Sequence, residues 1–312
     1  MKNELVFAQL SDPHLSTLEG VRWRDLTGKR LLGYLSWRRR RRAEHRREVL
    51  EAMQRDLGRS RPEHLVITGD LTHIGLPDEF RQARGWLESL GEPHAVTVIP
   101  GNHDAYVAVP WEQGLACWEP WMKSDTPADA TPASSGATLF PSLRVRGPVA
   151  FIGLSSARPS APFLATGRIG AAQLERLQAL LDETGRQGLF RVVLLHHPPV
   201  PGEERWRKRL IDAAQLCRVI AESGAELVLH GHRHRSVQSR IEIPDTHVPV
   251  FGIPSASASG DRPGRTAQYY LYRVYRSGDA WGLDVVVLAY SPGSDVFSAA
   301  HEFTLEIPRT GS

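Results

Sequence analysis

Five short motifs combine aspartate, asparagine and histidine in a pattern that suits metal chemistry. In chain order they are Asp12-Pro13-His14, Gly69-Asp70, Gly101-Asn102-His103-Asp104, His196-His197-Pro198-Pro199 and Gly231-His232-Arg233-His234. Carboxylate and amide oxygens and imidazole nitrogens are donors suited to Mn, Fe or Zn. Histidine is frequent, with 13 in 312 residues, and a glycine before three of the groups permits tight turns. These residue types predict a metal site.

The motifs follow apolar, β-rich runs of strand length. Such runs cover residues 5–10, 64–68, 95–99, 149–154, 190–195 and 226–230. Helical patterns lie between several of them, at residues 46–57, 77–90, 171–184 and 211–223. This alternation predicts an α/β layered fold, in which ligands gather beyond the carboxyl ends of the strands. After about residue 236 strands follow without helices, which predicts a second, largely antiparallel sheet at residues 237–243, 248–253, 268–275 and 281–290.

Each motif alone is weak, because an Asp-x-His pair or a Gly-Asp turn is a common loop feature. All five in this order, each after a strand, resemble the pattern of the calcineurin-like metallophosphoesterases: D-x-H, G-D, G-N-H-[DE], H-x-P and G-H-x-H. The match runs from Asp12 to His234 and looks most similar to bacterial class III cyclic-nucleotide phosphodiesterases. The resemblance implies a four-layered α/β/β/α sandwich of two mixed sheets flanked by helices. We expect a single domain over residues 1–312.

The resemblance also implies a binuclear metal centre containing Mn, Fe or Zn. The first cation would be held by Asp12, His14 and His234 and the second by Asn102, His196 and His232, with the carboxylate of Asp70 bridging both. His103 would be a non-ligand histidine that faces the leaving-group oxygen and, when protonated, either stabilises charge there or donates a proton to it. Two cations lower the pKa of a shared water, so a metal-bridging hydroxide would attack phosphorus in line.

Positive charge is concentrated in an insertion at about residues 16–43. Residues 21–47 hold eleven Arg and Lys against two acids, whereas the whole chain carries only +3. Three interpretations stay open: a solvated, locally packed segment, contact with a nucleic acid, or contact with an anionic membrane. In the last, residues 31, 32, 35 and 37 enter the interface while residues 38–42 meet head groups. The candidate substrate or membrane contacts are Trp37, Arg38, Arg39, Arg40, His73 and His197.

The remaining unusual residues are expected to have structural roles. A second insertion at about residues 105–141 contains Trp111, Trp118 and Trp121, and forms either a lid or core packing. Cys117 and Cys217 lie a hundred residues apart with no C-x-x-C motif, which predicts neither a disulfide nor a cysteine metal site. The histidines outside the motifs are expected to be structural, namely His45, His64, His94, His247 and His301.

The sequence favours an enzyme and leaves its substrate open. Nucleotide-binding glycine loops, G-x-S-x-G and H-E-x-x-H are absent from the sequence. A phosphodiesterase acting on a cyclic-nucleotide-like substrate is the first hypothesis. The alternatives are a membrane-surface hydrolase of a lipid-linked phosphoester or pyrophosphate such as UDP-2,3-diacylglucosamine, and a non-catalytic metal-bound scaffold. The first residues do not fit a secretory signal, so we expect a cytoplasmic protein, with the inner face of the membrane as a peripheral site.

Overall fold

The computed structural model describes residues 3–125, 139–244, 246–260 and 264–309. Its strands are β1 (Glu4–Leu10), β2 (His64–Ile67), β3 (Val96–Val98), β4 (Ser142–Arg146), β5 (Val149–Gly153), β6 (Phe190–Leu194), β7 (Leu227–His230), β8 (Val237–Ile243), β9 (Thr246–Gly252), β10 (Gln268–Ser277), β11 (Ala280–Ser291) and β12 (Val296–Pro308). Its α-helices are α1 (Lys29–Ser36), α2 (Arg42–Glu44), α3 (Arg47–Ser60), α4 (Pro77–Leu90), α5 (Glu119–Met122), α6 (Ala171–Arg186) and α7 (Ala213–Ser223).

Within the described residues the strands form two mixed sheets. The first has the order β12-β11-β10-β1-β2-β3 and the second has the order β4-β5-β6-β7-β9-β8. The strands β1, β2 and β3 are parallel, as are β5, β6, β7 and β9. The other strands pair antiparallel with their neighbours. The predicted α/β fold with two mixed sheets is therefore confirmed.

The prediction of a separate, largely antiparallel sheet after residue 236 was wrong. Strands β8 and β9 extend the second sheet beside β7, whereas β10, β11 and β12 extend the first sheet beside β1. The β1–β10 pairing runs from Glu4 opposite Tyr275 to Gln9 opposite Tyr270. This pairing provides hydrogen-bond partners for the edge of β1 that does not face β2. An unpaired strand edge would expose a row of backbone donors and acceptors. Pairing across such a distance in sequence leaves no local signal.

The two sheets face each other across an apolar core, with helices on their outer faces. Phe7 of β1 meets Phe151 of β5 edge-on at 5.0 Å and stacks on Tyr272 of β10 at 4.8 Å. Helices α3 and α4 contribute apolar side chains to the core of the first sheet. Helices α6 and α7 do the same for the second sheet, where Leu177 and Leu216 are fully buried. The layers are thus helix, sheet, sheet and helix.

The basic insertion folds into α1, a π-helical turn over Trp37–Arg41, and α2. Trp37 is buried in a small cluster with Leu18, Leu26 and Ile74. Its prediction as a surface contact was therefore wrong, because the indole supplies the apolar core that anchors the insertion. Arg38, Arg39 and Arg40 are exposed, as that prediction required.

The tryptophans of the second insertion pack against the body of the protein. Trp118 is fully buried and its indole nitrogen donates to the backbone oxygen of Phe80 at 3.0 Å. Trp121 is also buried, so these two form core packing rather than a lid. Residues 126–138 of this insertion lie outside the described residues. Cys117 and Cys217 are both free.

In the described part of the chain, the helices are too short or too polar to cross a membrane.

Candidate metal centre

The predicted ligands lie where the parallel strands of both sheets end. Strand β1 ends shortly before Asp12 and His14, and β7 ends shortly before His232. Backbone hydrogen bonds tie the loops together: the Asp12 nitrogen donates to the Gly69 oxygen at 3.0 Å, and the Gly231 nitrogen donates to the His196 oxygen at 3.1 Å. Loops that are distant in sequence therefore converge on one crevice, as expected beyond the carboxyl ends of strands.

Backbone strain is concentrated at the predicted ligands. Among the described residues, eight non-glycine residues have positive φ. Five of the eight are Asp12 (50°), His14 (43°), Asp70 (59°), His232 (71°) and His234 (50°). Each such conformation costs on the order of 1–3 kcal/mol and persists where the surroundings determine it, often at functional sites. The loops therefore hold these side chains in place at a cost to stability.

One group of donors consists of Asp12, His14, Asp70 and His234. One ligand atom from each lies within 4.8 Å of the others. Asp12 Oδ1 is 3.2 Å from His234 Nε2, and Asp70 Oδ2 is 4.0 Å from His14 Nε2. Four donors this close, two of them carboxylates, form a pocket of the size and charge that a divalent cation requires.

A second group lies on the other side of Asp70. Asn102 Oδ1 is 3.1 Å from His196 Nε2 and 2.8 Å from His232 Nδ1. Asp70 Oδ2 is 3.3 Å from His196 Nε2, so one carboxylate oxygen faces both groups. The structure thus brings together all seven residues that sequence analysis named as ligands.

Two of these donor atoms lack a hydrogen-bond partner within the described part of the protein, which leaves them available to a cation. Asp12 Oδ1 and His14 Nε2 are buried and have no hydrogen-bond partner among the described residues. His14 Nδ1 lies 2.8 Å from the backbone oxygen of Thr72, and His196 Nδ1 lies 2.7 Å from that of Thr68. Donation to a backbone oxygen leaves the opposite ring nitrogen with its lone pair facing the centre, which is how metal-binding histidines are oriented.

Burial and neighbouring charges shift the pKa values of the side chains in this centre. Burial lowers the pKa of His196, but the charges of Asp70 and Asp12 outweigh it and raise that pKa to about 9. Burial alone would raise the pKa of Asp70, yet the neighbouring His196 and His103 hold it well below its usual value. For His14, burial and the nearby His45 lower the pKa well below 6.5. The ionised carboxylate of Asp70 and the neutral imidazole of His14 are the forms that bind metals, whereas His196 would lose its proton when a cation binds.

His103 lies against the centre and contacts a residue of the basic insertion. Its backbone nitrogen donates to Asp70 Oδ1 at 2.7 Å, and its Nδ1 lies 2.5 Å from the His73 oxygen. The Arg41 Nη1 atom is 2.8 Å from His103 Nε2. Burial and the charge of Arg41 lower the pKa of His103 well below its usual value. Both effects favour the neutral form of the imidazole.

Two other candidate residues are buried beside the centre. The His73 ring stacks on His14 with centroids 4.9 Å apart, and its backbone nitrogen donates to Glu79. The His197 ring lies 4.5 Å from that of His232, and its Nδ1 is 2.7 Å from Ser156 Oγ. Both pack against predicted ligands, whereas Arg38, Arg39 and Arg40 are exposed.

Sequence analysis missed three residues of this region. Arg41 was grouped with surface arginines, but it is half-buried against His103. His45 was expected to be purely structural, but its ring lies 4.4 Å from that of His14. Asp104 received no role, although its carboxylate accepts from the backbone nitrogens of Asp70 and Gly101, each at 2.9 Å. Its position within Gly-Asn-His-Asp was the one available signal.

Comparisons with known proteins identify the family. The profile of the calcineurin-like phosphoesterases matches residues 5–236, so the chain belongs to this family. A probable cyclic nucleotide phosphodiesterase of Rhodococcus erythropolis is 30% identical over 204 residues, covering 64% of this chain and 58% of that protein. A cAMP/cGMP dual specificity phosphodiesterase of Mycobacterium tuberculosis is 28% identical over 203 residues, covering 64% and 54%. The chain thus matches less than two thirds of the length of either relative.

The fold is also shared with a solved structure. A dimetal phosphatase from Danio rerio superposes with a TM-score of 0.62, covering 97% of this chain and 98% of that one. Its sequence identity is 12%, so this likeness shows the fold alone.

Proposed function

We propose that this chain is a two-cation phosphodiesterase acting on a cyclic-nucleotide-like substrate. The observation that carries the proposal is the position of Asp70, whose Oδ2 atom lies 3.3 Å from His196 Nε2 and 4.0 Å from His14 Nε2. A carboxylate between two ligand groups reduces the repulsion between two cations. The relatives, named as cyclic nucleotide phosphodiesterases, support the same reaction class.

Each ligand group would hold one cation. The first would be held by Asp12, His14 and His234, the second by Asn102, His196 and His232, and Asp70 would contribute to both. Bound cations supply a water nucleophile near neutral pH and neutralise charge on the phosphoryl oxygens. Six coordinating oxygens and nitrogens suit Mn or Fe, and four suit Zn.

Arg41 would act on the substrate directly, and His103 would position Arg41. The Arg41 guanidinium lies beside the centre, with Nη1 2.8 Å from His103 Nε2, and a planar guanidinium binds phosphoryl oxygens in pairs. His103 donates its Nδ1 proton to the His73 oxygen, at 2.5 Å, so its Nε2 atom accepts. Arg41 therefore provides the positive charge that offsets the growing negative charge on the departing oxygen.

The reaction class can be tested with a matched pair of model substrates. Manganese-loaded protein should hydrolyse bis(4-nitrophenyl) phosphate, a diester, faster than 4-nitrophenyl phosphate, a monoester. Turnover should disappear in EDTA and return with Mn²⁺. A clear preference for the monoester would refute the phosphodiesterase assignment. Two bound cations without turnover of any phosphoester would favour the scaffold hypothesis.

The surface beside the centre favours a second candidate function, hydrolysis of a lipid-linked phosphoester or pyrophosphate at a membrane. Leu31, Leu32 and Leu35 of α1 are exposed by 37–39%, and Phe163 by 78%. Lys29 donates to Ser160 Oγ at 2.9 Å and to the Leu164 oxygen at 3.3 Å, which holds the Phe163 loop beside α1. Exposed apolar residues followed by exposed arginines match an anionic interface.

Vesicle sedimentation tests this second candidate. The protein should bind phosphatidylglycerol vesicles more strongly than phosphatidylcholine vesicles, and Leu32→Glu should abolish the difference. Val296→Glu is the matched control, because Val296 is exposed to a similar degree at the start of β12. Equal binding by wild type and Leu32→Glu would refute a membrane role for α1. Binding to RNA instead would favour the nucleic-acid interpretation of the same patch.

A further inference from the structure

His45 is held in place at the edge of the metal centre by backbone contacts. It follows α2, and its nitrogen donates to the Arg41 oxygen at 2.9 Å. The residues on either side are tied to the segment after β9: the Arg46 nitrogen donates to the Ser257 oxygen, and the Ser259 nitrogen donates to the Glu44 oxygen, both across 2.8–2.9 Å. The basic insertion therefore presents His45 to the centre on a fixed backbone.

Two serines orient the imidazole. His45 Nδ1 lies 2.8 Å from Ser257 Oγ and 3.3 Å from Ser255 Oγ. Ser255 already donates its hydroxyl proton to the Asp12 backbone oxygen at 2.6 Å, so towards the imidazole it acts as an acceptor. With the ring proton on Nδ1, facing the two serines, the lone pair lies on Nε2, as a metal ligand requires. The same serine thus links the orientation of His45 to the loop that carries Asp12.

The free nitrogen faces the first ligand group. His45 Nε2 is buried and has no hydrogen-bond partner among the described residues. One ring nitrogen from each of His14, His45 and His234 lies within 4.8 Å of the other two. Two nitrogens bound to one cation at about 2.1 Å each can be at most about 4.2 Å apart. Small side-chain rotations therefore bring all three imidazoles onto one ion.

We propose that His45 is an additional ligand of the cation held by Asp12, His14 and His234. The inference rests on the proposed two-cation centre. It gives that cation three imidazoles and the carboxylates of Asp12 and Asp70, which with one water makes six donors. Six-coordinate sites suit Mn²⁺ or Fe²⁺, whereas Zn²⁺ prefers four donors. His45 therefore makes the first site selective for a six-coordinate metal.

The metal alone tests the proposal, without any substrate. EDTA-stripped protein is titrated with MnCl₂ by calorimetry, and the two sites are resolved by their affinities. His45→Gln should lower the affinity for the first cation by at least about 10- to 100-fold, the loss typical when a residue that only orients a ligand is replaced, and leave the affinity for the second unchanged. Ser257→Ala, which keeps the imidazole but removes its partner, should weaken the same cation less.

His64→Gln is the matched control. His64 is also buried with an unpartnered ring nitrogen, but it contacts Thr97 and Phe151 away from the centre. The proposal would be overturned if the His45→Gln variant bound Mn²⁺ as tightly as the His64→Gln variant does. An equal loss of affinity for both cations would also overturn the proposal, because it would indicate general disruption of the centre. If wild type binds two cations and His45→Gln is unchanged, only this inference fails; if wild type does not bind two, the proposed function fails with it.

Discussion

Asp70→Asn is the substitution that separates a two-cation centre from other arrangements of the same residues. Asparagine keeps the size of the side chain and one oxygen to accept from the His103 nitrogen, which now donates to Asp70 Oδ1 at 2.7 Å. It removes the negative charge that faces both ligand groups. If two cations share Asp70, both should bind more weakly after this change.

The size of the effect follows from how strongly the site stabilises positive charge. Burial lowers the pKa of His196, but Asp70 and Asp12 raise it from 6.5 to about 9, which corresponds to about 3 kcal/mol. Two unit charges at the 3.3 Å separation of Asp70 Oδ2 and His196 Nε2 interact by about 5 kcal/mol at an effective dielectric constant of about 20. These carboxylates should stabilise a divalent cation by at least as much free energy as they stabilise a proton on His196. Each cation should therefore bind at least about 100-fold more weakly.

Calorimetric titration with MnCl₂ measures both affinities, and hydrolysis of bis(4-nitrophenyl) phosphate measures turnover. Asp212→Asn is the control, because Asp212 is a buried carboxylate that accepts from the Gly170 nitrogen at 2.7 Å outside the centre. It should lower the free energy of unfolding and leave both cation affinities unchanged. Wild-type affinities and near-normal turnover in manganese-saturated Asp70→Asn would refute the bridging role of Asp70.

Three further predictions follow from other parts of the structure. Arg41→Ala should lower kcat by about 10²- to 10³-fold, the loss typical of one transition-state donor, whereas the exposed Arg39→Ala should match wild type in the same assay. Burial and nearby arginines lower the pKa of His64 to about 3, so only the unfolded chain protonates it between pH 6.5 and 3. The free energy of unfolding should therefore decrease as the pH is lowered from 6.5 to 3, by up to about 1.4 kcal/mol per pH unit. Urea unfolding of His64→Gln should show a smaller decrease over the same pH range. Mn²⁺ at about 100 times its Kd should raise the free energy of unfolding by about 2.7 kcal/mol for one site, measured by thermal melts with EDTA as the reference; an unchanged melting temperature would contradict metal binding to the native state.

Local signals in the sequence predicted the limits of individual elements. Helix α4 occupies Pro77–Leu90, the range predicted from a first-turn proline followed by Asp78 and Glu79. Strand β8 also has its predicted limits, Val237–Ile243. The convergence of the five motifs followed from a general property of parallel strands, whose carboxyl ends share one edge of a sheet.

Long-range placement could not be predicted in the same way. Strand β12 was missed although Phe303, Leu305 and Ile307 alternate with polar residues, because its exposed first half, at residues 298–302, lacks that alternation. The roles of Arg41 and His45 depend on how the insertion folds back. Trp37 anchors one end in a small apolar cluster, and the segment at Ser257 fixes the other. In the sequence, both residues stand in an arginine-rich run that looks like a solvated surface.

Phosphorus NMR with 3′,5′-cyclic AMP in water enriched in ¹⁸O tests the central claim most directly. Protein loaded with two equivalents of Mn²⁺ should open the cyclic diester and place one ¹⁸O atom on phosphorus, because water attacks phosphorus at the two-cation centre. The stripped protein should leave the substrate intact. Hydrolysis that persists after the cations are removed, or no phosphodiester cleavage by protein shown to hold both cations, would contradict the account.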